Sequence, residues 1–575
     1  MLKLLRLLQP YRLMLGLVLL LALLQSIANL TLPTLMADIV DNGIVKSDTH
    51  YILRVGAVML LVTIGGMLCA IAGAFFSSRI ALGFGRILRA RIFTHVQSFS
   101  LQAFDTFSTA SLITRTTNDT TQVQQVVTMT LLMVITAPMM AIGGIILALA
   151  QDRSLSWILV VAIPVVFLVF VVTLRKAVPL FQAMQVKLDK LNLVMDEGLT
   201  GVRVVRAFDR DAHEQHRFDV ANLDLTDTAI TVNRIVAVLF PAMMLILNLT
   251  SVAILWFGSL RINDGSMQIG SMIAFLQYAM QILFAVLMVA VMFVMLPRAA
   301  ASATRINEVL DTVPSIADPA EPVPAGPQTG YLEFQNVTFR YPGAEEPALS
   351  HISFTTGPGE VTAIIGGTGS GKSSLVNLIP RFYDVEAGRV LVDGRDVREM
   401  MQEELRAKIG YVPQRAILFS GSIDTNVRYG KDDASREEVL HALEVAQATD
   451  FVTAMPDGIE SVIAQGGTNV SGGQKQRLSI ARALVRRPEI YVFDDCFSAL
   501  DFATDARLRA ALRGETGGAT VVIVAQRVGT VMDADRIIVL DEGHVAGIGT
   551  HHALLETCAV YREIVSSQLS LEEIA

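Results

Sequence analysis

The sequence predicts an all-α membrane domain of six helices with long helical extensions, followed by a soluble α/β domain. Two observations carry this reading. Of 575 residues, 52% are hydrophobic and 17% charged, and mean hydropathy is +0.50, so much of the chain is suited to lipid and not to the roughly four soluble domains its length alone would suggest. The long apolar runs all precede residue 311, and beyond a proline-rich stretch the composition becomes that of a soluble domain.

Residues 1–12 carry Lys3, Arg6 and Arg12 without an acid, and an apolar run follows from Leu13. A signal peptide begins similarly. Here, however, the run continues past Gln25 and Asn29 to Leu32, and a bilayer span needs only about 20 residues. Further spans are expected at residues 52–76, 127–150, 155–174, 235–260 and 273–296, giving an even total of six.

Charge fixes the orientation. Residues 77–125 contain Arg79, Arg86, Arg89, Arg91 and Arg115, and residues 174–234 contain Arg175, Lys176, Lys187, Lys190, Arg203, Arg206, Arg210, Arg217 and Arg234. The loops on the other side offer only Lys46, Arg153 and Arg261, so the positive-inside rule puts the long segments, and with them both ends of the chain, in the cytosol. Within residues 80–99, Leu82, Phe84, Ile87, Leu88 and Ile92 recur at helical spacing, so the spans are expected to continue as helices beyond the membrane. Thirty such residues reach about 45 Å.

The polar residues inside the spans, Gln25, Asn29, Asn248, Gln277 and Gln281, are expected to face a bundle interior, and none is ionisable. An apolar or amphipathic passenger fits this better than a compact ion. Met243, Met244, Met280, Met288, Met292 and Met295 offer adaptable apolar surface, either for such a passenger or for packing and lipid. Net charge is −8 and no basic stripe is interleaved with aromatics, which argues against nucleic acid as a partner. Cys69, Cys496 and Cys558 lack metal-ligand spacing and are expected to be reduced.

Residues 311–330 hold Pro314, Pro319, Pro322, Pro324 and Pro327 and form an extended linker between a membrane domain of residues 1–310 and a soluble domain of residues 331–575. The soluble part shows strand-like residues 389–392 and 521–524 and a helical patch near 437–454. In it, Gly366-Gly367-Thr368-Gly369-Ser370-Gly371-Lys372-Ser373 follows the strand-like residues 361–365 and precedes a helix-like run from Ser374. That is the P-loop pattern in its required setting: backbone N–H groups close round phosphate oxygens, Lys372 reaches the terminal phosphates and the Ser373 hydroxyl suits Mg²⁺. About a hundred residues on, Val470-Ser471-Gly472-Gly473-Gln474 opens a helical run where an anion can meet the helix dipole. Then Ile490-Tyr491-Val492-Phe493, a buried-strand run, ends in the carboxylates Asp494 and Asp495.

In this order the three elements resemble the nucleotide-binding domain of ATP-binding cassette (ABC) transporters, and the whole chain resembles an ABC exporter half-transporter. The resemblance implies ATP and Mg²⁺ as cofactors. It implies that Tyr341 stacks on adenine, that Gly366, Gly367, Thr368, Gly369, Ser370, Gly371, Lys372, Ser373 and Ser374 hold the phosphates, and that Ser373, Asp494 and the Q-loop residue Gln414 hold Mg²⁺. By the same resemblance Ser471, Gly472, Gly473 and Gln474 are a signature acting on ATP bound by a partner, and Asp501 closes the D-loop Ser498-Ala499-Leu500-Asp501. Residues 104–109 and 201–208 are similar to the segments that couple exporter membrane helices to the ATPase.

Three positions depart from the family pattern. The catalytic Glu is Asp495, the switch His is Gln526, and a Glu common before the signature is Gln465. Asp is shorter than Glu by roughly 1.5 Å of reach, and catalysis falls steeply with misplacement of about 1 Å. Gln526 donates a hydrogen bond but carries no proton. Losing most of a general base worth about 10² to 10⁴ in rate raises the barrier by roughly 3 to 5 kcal/mol.

The expectation is therefore a translocase subunit of a bacterial heterodimeric, multidrug-type exporter in the plasma (inner) membrane, moving hydrophobic drug-like or lipid-like compounds out of the cytosol. Its own site binds Mg-ATP but is impaired in hydrolysis, and its intact signature serves a partner half-transporter that carries the catalytic Glu, the switch His and an altered signature. The alternatives are a homodimeric exporter with slow sites and an ATP-gated regulatory membrane protein without transport.

Overall fold

The computed structural model describes residues 2–323 and 329–568, so Pro324 and Pro327 of the linker lie outside the described residues. Its contacts divide the chain into two compact units, one within Met1–Gln97 and Thr109–Thr312, the other within Ser98–Ser108 and Val313–Ala575.

The first unit is helical. Among the described residues six helices are long and apolar enough to cross a membrane: Lys3–Ile44, Thr49–Gln97, Thr109–Gln151, Ser156–Thr200, Asp211–Asn263 and Ile269–Val289, the last being the apolar part of a helix that runs to Asp311. The six expected spans fall one to each helix. With 49, 45 and 53 residues, the second, fourth and fifth helices far exceed the roughly 20 residues a bilayer requires, so the spans continue as helices. Along the second helix Ile80, Phe84, Leu88 and Ile92 are fully buried at four-residue spacing, each burial contributing about 1.5–3 kcal/mol. Leu82, expected on that stripe, is 55% exposed because it falls on the opposite face.

The helices are tied by polar contacts that their hydropathy does not reveal. A π-helical turn, Arg115–Asp119, interrupts the third helix. Buried Asp119 accepts hydrogen bonds from Arg305 Nε at 2.8 Å and Ser302 Oγ at 2.9 Å, both on the sixth helix, while Arg115 pairs with Glu308 at 2.8 Å. Elsewhere, Arg261 pairs with Asp152 at 3.0 Å. The fully buried Tyr278 donates to the Leu30 carbonyl at 2.8 Å and lies 2.6 Å from Thr34 Oγ1. Gln281 reaches the Asn29 carbonyl at 3.3 Å, but Asn248 lies on an exposed face rather than in the bundle interior.

The second unit is an α/β fold. A six-stranded sheet has the order β12-β11-β3-β10-β9-β6: β12 is His544–Gly549, β11 Arg536–Asp541, β3 Val361–Gly366, β10 Thr520–Val524, β9 Ile490–Asp494 and β6 Ile409–Val412. All its pairs are parallel except β11 with β12. β9 is buried at all five positions, as a continuous apolar run in a covered parallel sheet should be. An antiparallel sheet of order β2-β1-β4-β5 packs beside it, from Leu349–Thr356, Leu332–Phe339, Ala387–Val392 and Arg395–Asp396. The helical patch near 437–454 forms two helices, Arg436–Val445 and Thr449–Thr453, because Gln447 takes a positive φ of 54° between them. The short helix Leu101–Phe107 belongs to this unit: Ser100 caps it and contacts Ser315 Oγ at 2.7 Å.

Candidate nucleotide site

Parallel pairing sets the site. Val524 at the end of β10 is in register with Asp494 of β9 and Ile364 of β3, so the segments that leave these three strands emerge side by side at their carboxyl ends, where open α/β sheets bind ligands. The P-loop leaves β3, Asp495 follows β9 and Gln526 follows β10.

The P-loop turns sharply into the helix Lys372–Leu378, with Gly371 as its N-cap at a φ of 96°. A Cβ there would sit 2.8 Å from the Ala348 carbonyl, so both conformation and space require glycine. Gly367, Thr368 and Gly369 form an exposed crown, whereas Ser370, Lys372 and Ser374 are buried. The Lys372 ammonium donates to the carbonyls of Gly366 at 2.8 Å and Gly367 at 2.6 Å, inside the loop that phosphate would fill. Burial lowers its pKa, against the pull of Asp495 and Asp494.

Ser373 Oγ donates to Asp494 Oδ1 at 3.2 Å. Burial raises the Asp494 pKa, and the neighbouring Asp495 charge adds to the rise. A hydroxyl and a buried carboxylate, short of compensating positive charge, fit one small hard cation. Among the described residues no group of three or more His, Cys, Asp or Glu side chains could hold a metal by itself.

Asp495 stands in the left-handed region at a φ of 45°, and its N–H donates to the Val524 carbonyl at 3.0 Å. Its Oδ2 accepts from two amides, Gln414 Nε2 at 3.1 Å and Gln526 Nε2 at 3.1 Å. Burial pushes this carboxyl above its ordinary range, while Gln414 and Lys372 pull it back. Gln414 is itself held, its carbonyl accepting from buried Gln476 at 2.9 Å. Tyr341 is half-buried, its ring edge-on to those of Phe339 and Tyr383 and its hydroxyl 2.9 Å from Ser374 Oγ.

Ser471 and Gln474 form a capping box on the helix Gly472–Leu484, so the signature serine is bound into its own helix start. Around Gly472 a Cβ would meet open space; at Gly473 it would lie 3.2 Å from the Ala499 carbonyl. Asp501 caps the helix Phe502–Glu515 by accepting from Thr504 N at 2.9 Å, and those bonds lower its pKa. The structure thus brings together Lys372, Ser373, Asp494, Asp495, Gln414 and Gln526, while among the described residues no direct hydrogen bond ties Ser471 or Asp501 to that cluster. Sequence reasoning missed Gln476 and Arg527. Arg527 donates to the Ser498 carbonyl at 3.0 Å and lies over the Phe502 ring at 4.9 Å, joining the segment after β10 to residues 498–502. Its only sequence signal is adjacency to Gln526.

Cys496, next to this carboxylate pair, is fully buried and its thiol pKa is pushed well up, mainly by burial, so it packs as an inert group.

Comparison with known proteins matches residues 15–286 to the ABC transporter transmembrane region and residues 349–498 to the ABC transporter family. This chain belongs to the ABC transporter family. It is similar, at 47% identity over 564 residues and 97% of both chains, to an uncharacterized ABC transporter ATP-binding protein of Mycobacterium tuberculosis. It is 30% identical over 557 residues to an ATP-dependent lipid A-core flippase of Chromobacterium violaceum, covering 96% of this chain and 95% of that one. A bacterial Atm1-family ABC exporter solved with ATP bound matches with a TM-score of 0.82 at 26% identity, over 97% of this chain and 98% of the other. The ABC exporter architecture, six apolar helices followed by an α/β ATPase domain, is therefore the architecture of this chain.

Proposed function

We propose that this ABC transporter is one subunit of an ATP-driven exporter of lipid-like or other amphipathic compounds, and that its own nucleotide site binds Mg-ATP but hydrolyses it poorly. In this reading Lys372 and the P-loop backbone hold the phosphates, Tyr341 takes the adenine, and Ser373, Asp494 and Gln414 hold Mg²⁺. The amino terminus and ATPase domain lie in the cytosol, and the membrane is the plasma (inner) membrane.

The observation that carries the impaired-site reading is the pair of amides on Asp495 Oδ2, from Gln414 and Gln526 at 3.1 Å each. Neither can accept a proton, and the carboxylate they hold is the short one, so water is oriented without an efficient base. The chain retains Lys372, Ser373 and Asp494, the groups this reading assigns to binding. Such a chain needs a partner whose site still works, and Ser471, Gly472, Gly473 and Gln474 would complete that partner's site.

The membrane unit supports this passenger class. A cavity of about 470 Å³ is lined by apolar side chains of four helices, among them Pro138, Phe167, Phe170, Met243 and Val286. That the Chromobacterium relative is a lipid A-core flippase supports a lipid-like passenger.

Co-purification of the chain from its native membrane tests the assembly. The expected partner is a second half-transporter with Glu after its metal-binding Asp, His at its switch and an altered signature. A partner with Asp and Gln at those two positions, or a native homodimer, would overturn this reading. Transport of labelled lipids and apolar drugs into inverted vesicles tests the passenger.

A further inference from the structure

The switch segment is held from behind by the helix Ala559–Gln568. This helix is anchored in the ATPase core by buried Tyr561 and Val565, and the Tyr561 hydroxyl lies 2.7 Å from His551 Nδ1. At its last residue, Gln568 Oε1 accepts from Val528 N at 2.9 Å and Gln568 Nε2 donates to the Gln526 carbonyl at 2.8 Å. One carboxamide thus closes on both sides of Arg527, whose own guanidinium reaches the Ser498 carbonyl at 3.0 Å. The backbone of residues 526–528 is fixed, and the Gln526 side chain is left pointing at Asp495, 3.1 Å away.

We infer that Gln568 is a positioning residue for the switch: by bracketing its backbone it presents the Gln526 amide to Asp495. The inference rests on the proposed placement of Gln526 at the nucleotide site. A carboxamide carries its donor and its acceptor on separate atoms, so it can donate to the first carbonyl and accept from the third N–H at once, and a misplacement of about 1 Å at the acting amide is enough to reduce catalysis.

The test uses the purified full-length chain carrying Gln568→Met, which loses both bonds, and Gln568→Glu, which keeps an acceptor for Val528 N–H but cannot donate to the Gln526 carbonyl. Each is made alone and with Gln526→Ala, and thermal unfolding verifies folding. Amide hydrogen exchange reads the clamp whether or not the site turns over. Val528 is expected to exchange about tenfold faster in Gln568→Met, to stay protected in Gln568→Glu, and β10 is expected to be unchanged. With Mg-ATP, Gln568→Met is expected to lower kcat roughly three- to tenfold, the worth of about one hydrogen bond, with KM within about twofold, and to add nothing when Gln526 is already Ala. Unaltered exchange at Val528 in Gln568→Met, or an equal fall in kcat in the Gln526→Ala background, would overturn the inference. If no form turns over, the residual hydrolysis proposed for this site is absent, and the exchange result still decides the clamp.

Discussion

Gln526 donates its side-chain amide to Asp495 Oδ2 across 3.1 Å, the same oxygen that accepts the Gln414 amide. Two donors fix the carboxylate in place, yet neither provides or removes a proton. Changing Gln526 to Leu should lower any residual turnover by roughly three- to tenfold, one hydrogen bond's worth. Asp495→Glu alone should raise turnover only modestly, whereas Asp495→Glu with Gln526→His should exceed the product of the single effects. Phosphate release by the purified variants measures this, and strictly multiplicative effects would show that the two residues act independently.

Lys372 lies against the Gly366 and Gly367 carbonyls, so its ammonium sits inside the loop proposed to cradle phosphate. Hydrogen bonds to charged groups contribute about 1.5–3 kcal/mol. Lys372→Ala should therefore weaken ATP binding at this site by roughly 10- to 100-fold, read by displacement of a fluorescent nucleotide. In the assembled transporter the partner's hydrolysis should persist, and its complete loss in folded, assembled protein would mean that this site is indispensable for turnover.

The Asp494 carboxyl titrates above its ordinary range because it is buried beside Asp495. With a raised native pKa the folded chain holds more protons than the unfolded one, so this group's contribution is fully present below the ordinary carboxyl pKa of about 4 and is lost as pH rises through the raised value. Asp494→Asn should accordingly raise the nucleotide-free Tm at neutral pH, by a margin that shrinks as pH falls. The same change should abolish the additional Tm rise that Mg²⁺ gives with ATP. Calorimetric or fluorescence melts across pH 5–8 check both parts.

In the membrane unit the side chain of Asp119 is 3% exposed and that of Arg305 47% exposed, so removing the acid leaves the Arg305 and Ser302 donors without their buried acceptor, while removing the base leaves a buried charge. Asp119→Ala should cost roughly 1–3 kcal/mol, and Arg305→Ala at least as much. Arg305→Lys should restore only part, since Asp119 accepts from more than one nitrogen of the guanidinium. Thermal melts in detergent read the order, which would be contradicted if Arg305→Ala melted like the native chain.

Much of the fold is legible in the sequence because it is local. Apolar runs longer than a bilayer needs give the six helices, and the run 490–493 bounded by two acids becomes the central β9. The P-loop pattern and the acidic strand end likewise identify two of the segments that emerge together from the sheet. Relationships across the chain were not legible. Asp119 and Arg305 are 186 residues apart, and a π-helical turn aims the acid, a feature with no hydropathy signature. Gln568 meets the switch 40 residues upstream through a helix whose placement depends on the packing of Tyr561 and Val565. Leu82 lies on the wrong face because apolar residues outside the buried stripe satisfy the same loose periodicity.

The nucleotide site is proposed to hold ATP almost without using it. The decisive measurement is ATP binding and hydrolysis on one preparation of the full-length chain, verified as free of any other half-transporter and as dimeric. Saturable Mg-dependent ATP binding is expected, with turnover about 10² to 10⁴ below a typical enzyme's roughly 10 s⁻¹, that is near 0.001 to 0.1 s⁻¹. Turnover near 10 s⁻¹ from that dimer would contradict the account, because Asp495 and Gln526 would then suffice for ordinary hydrolysis.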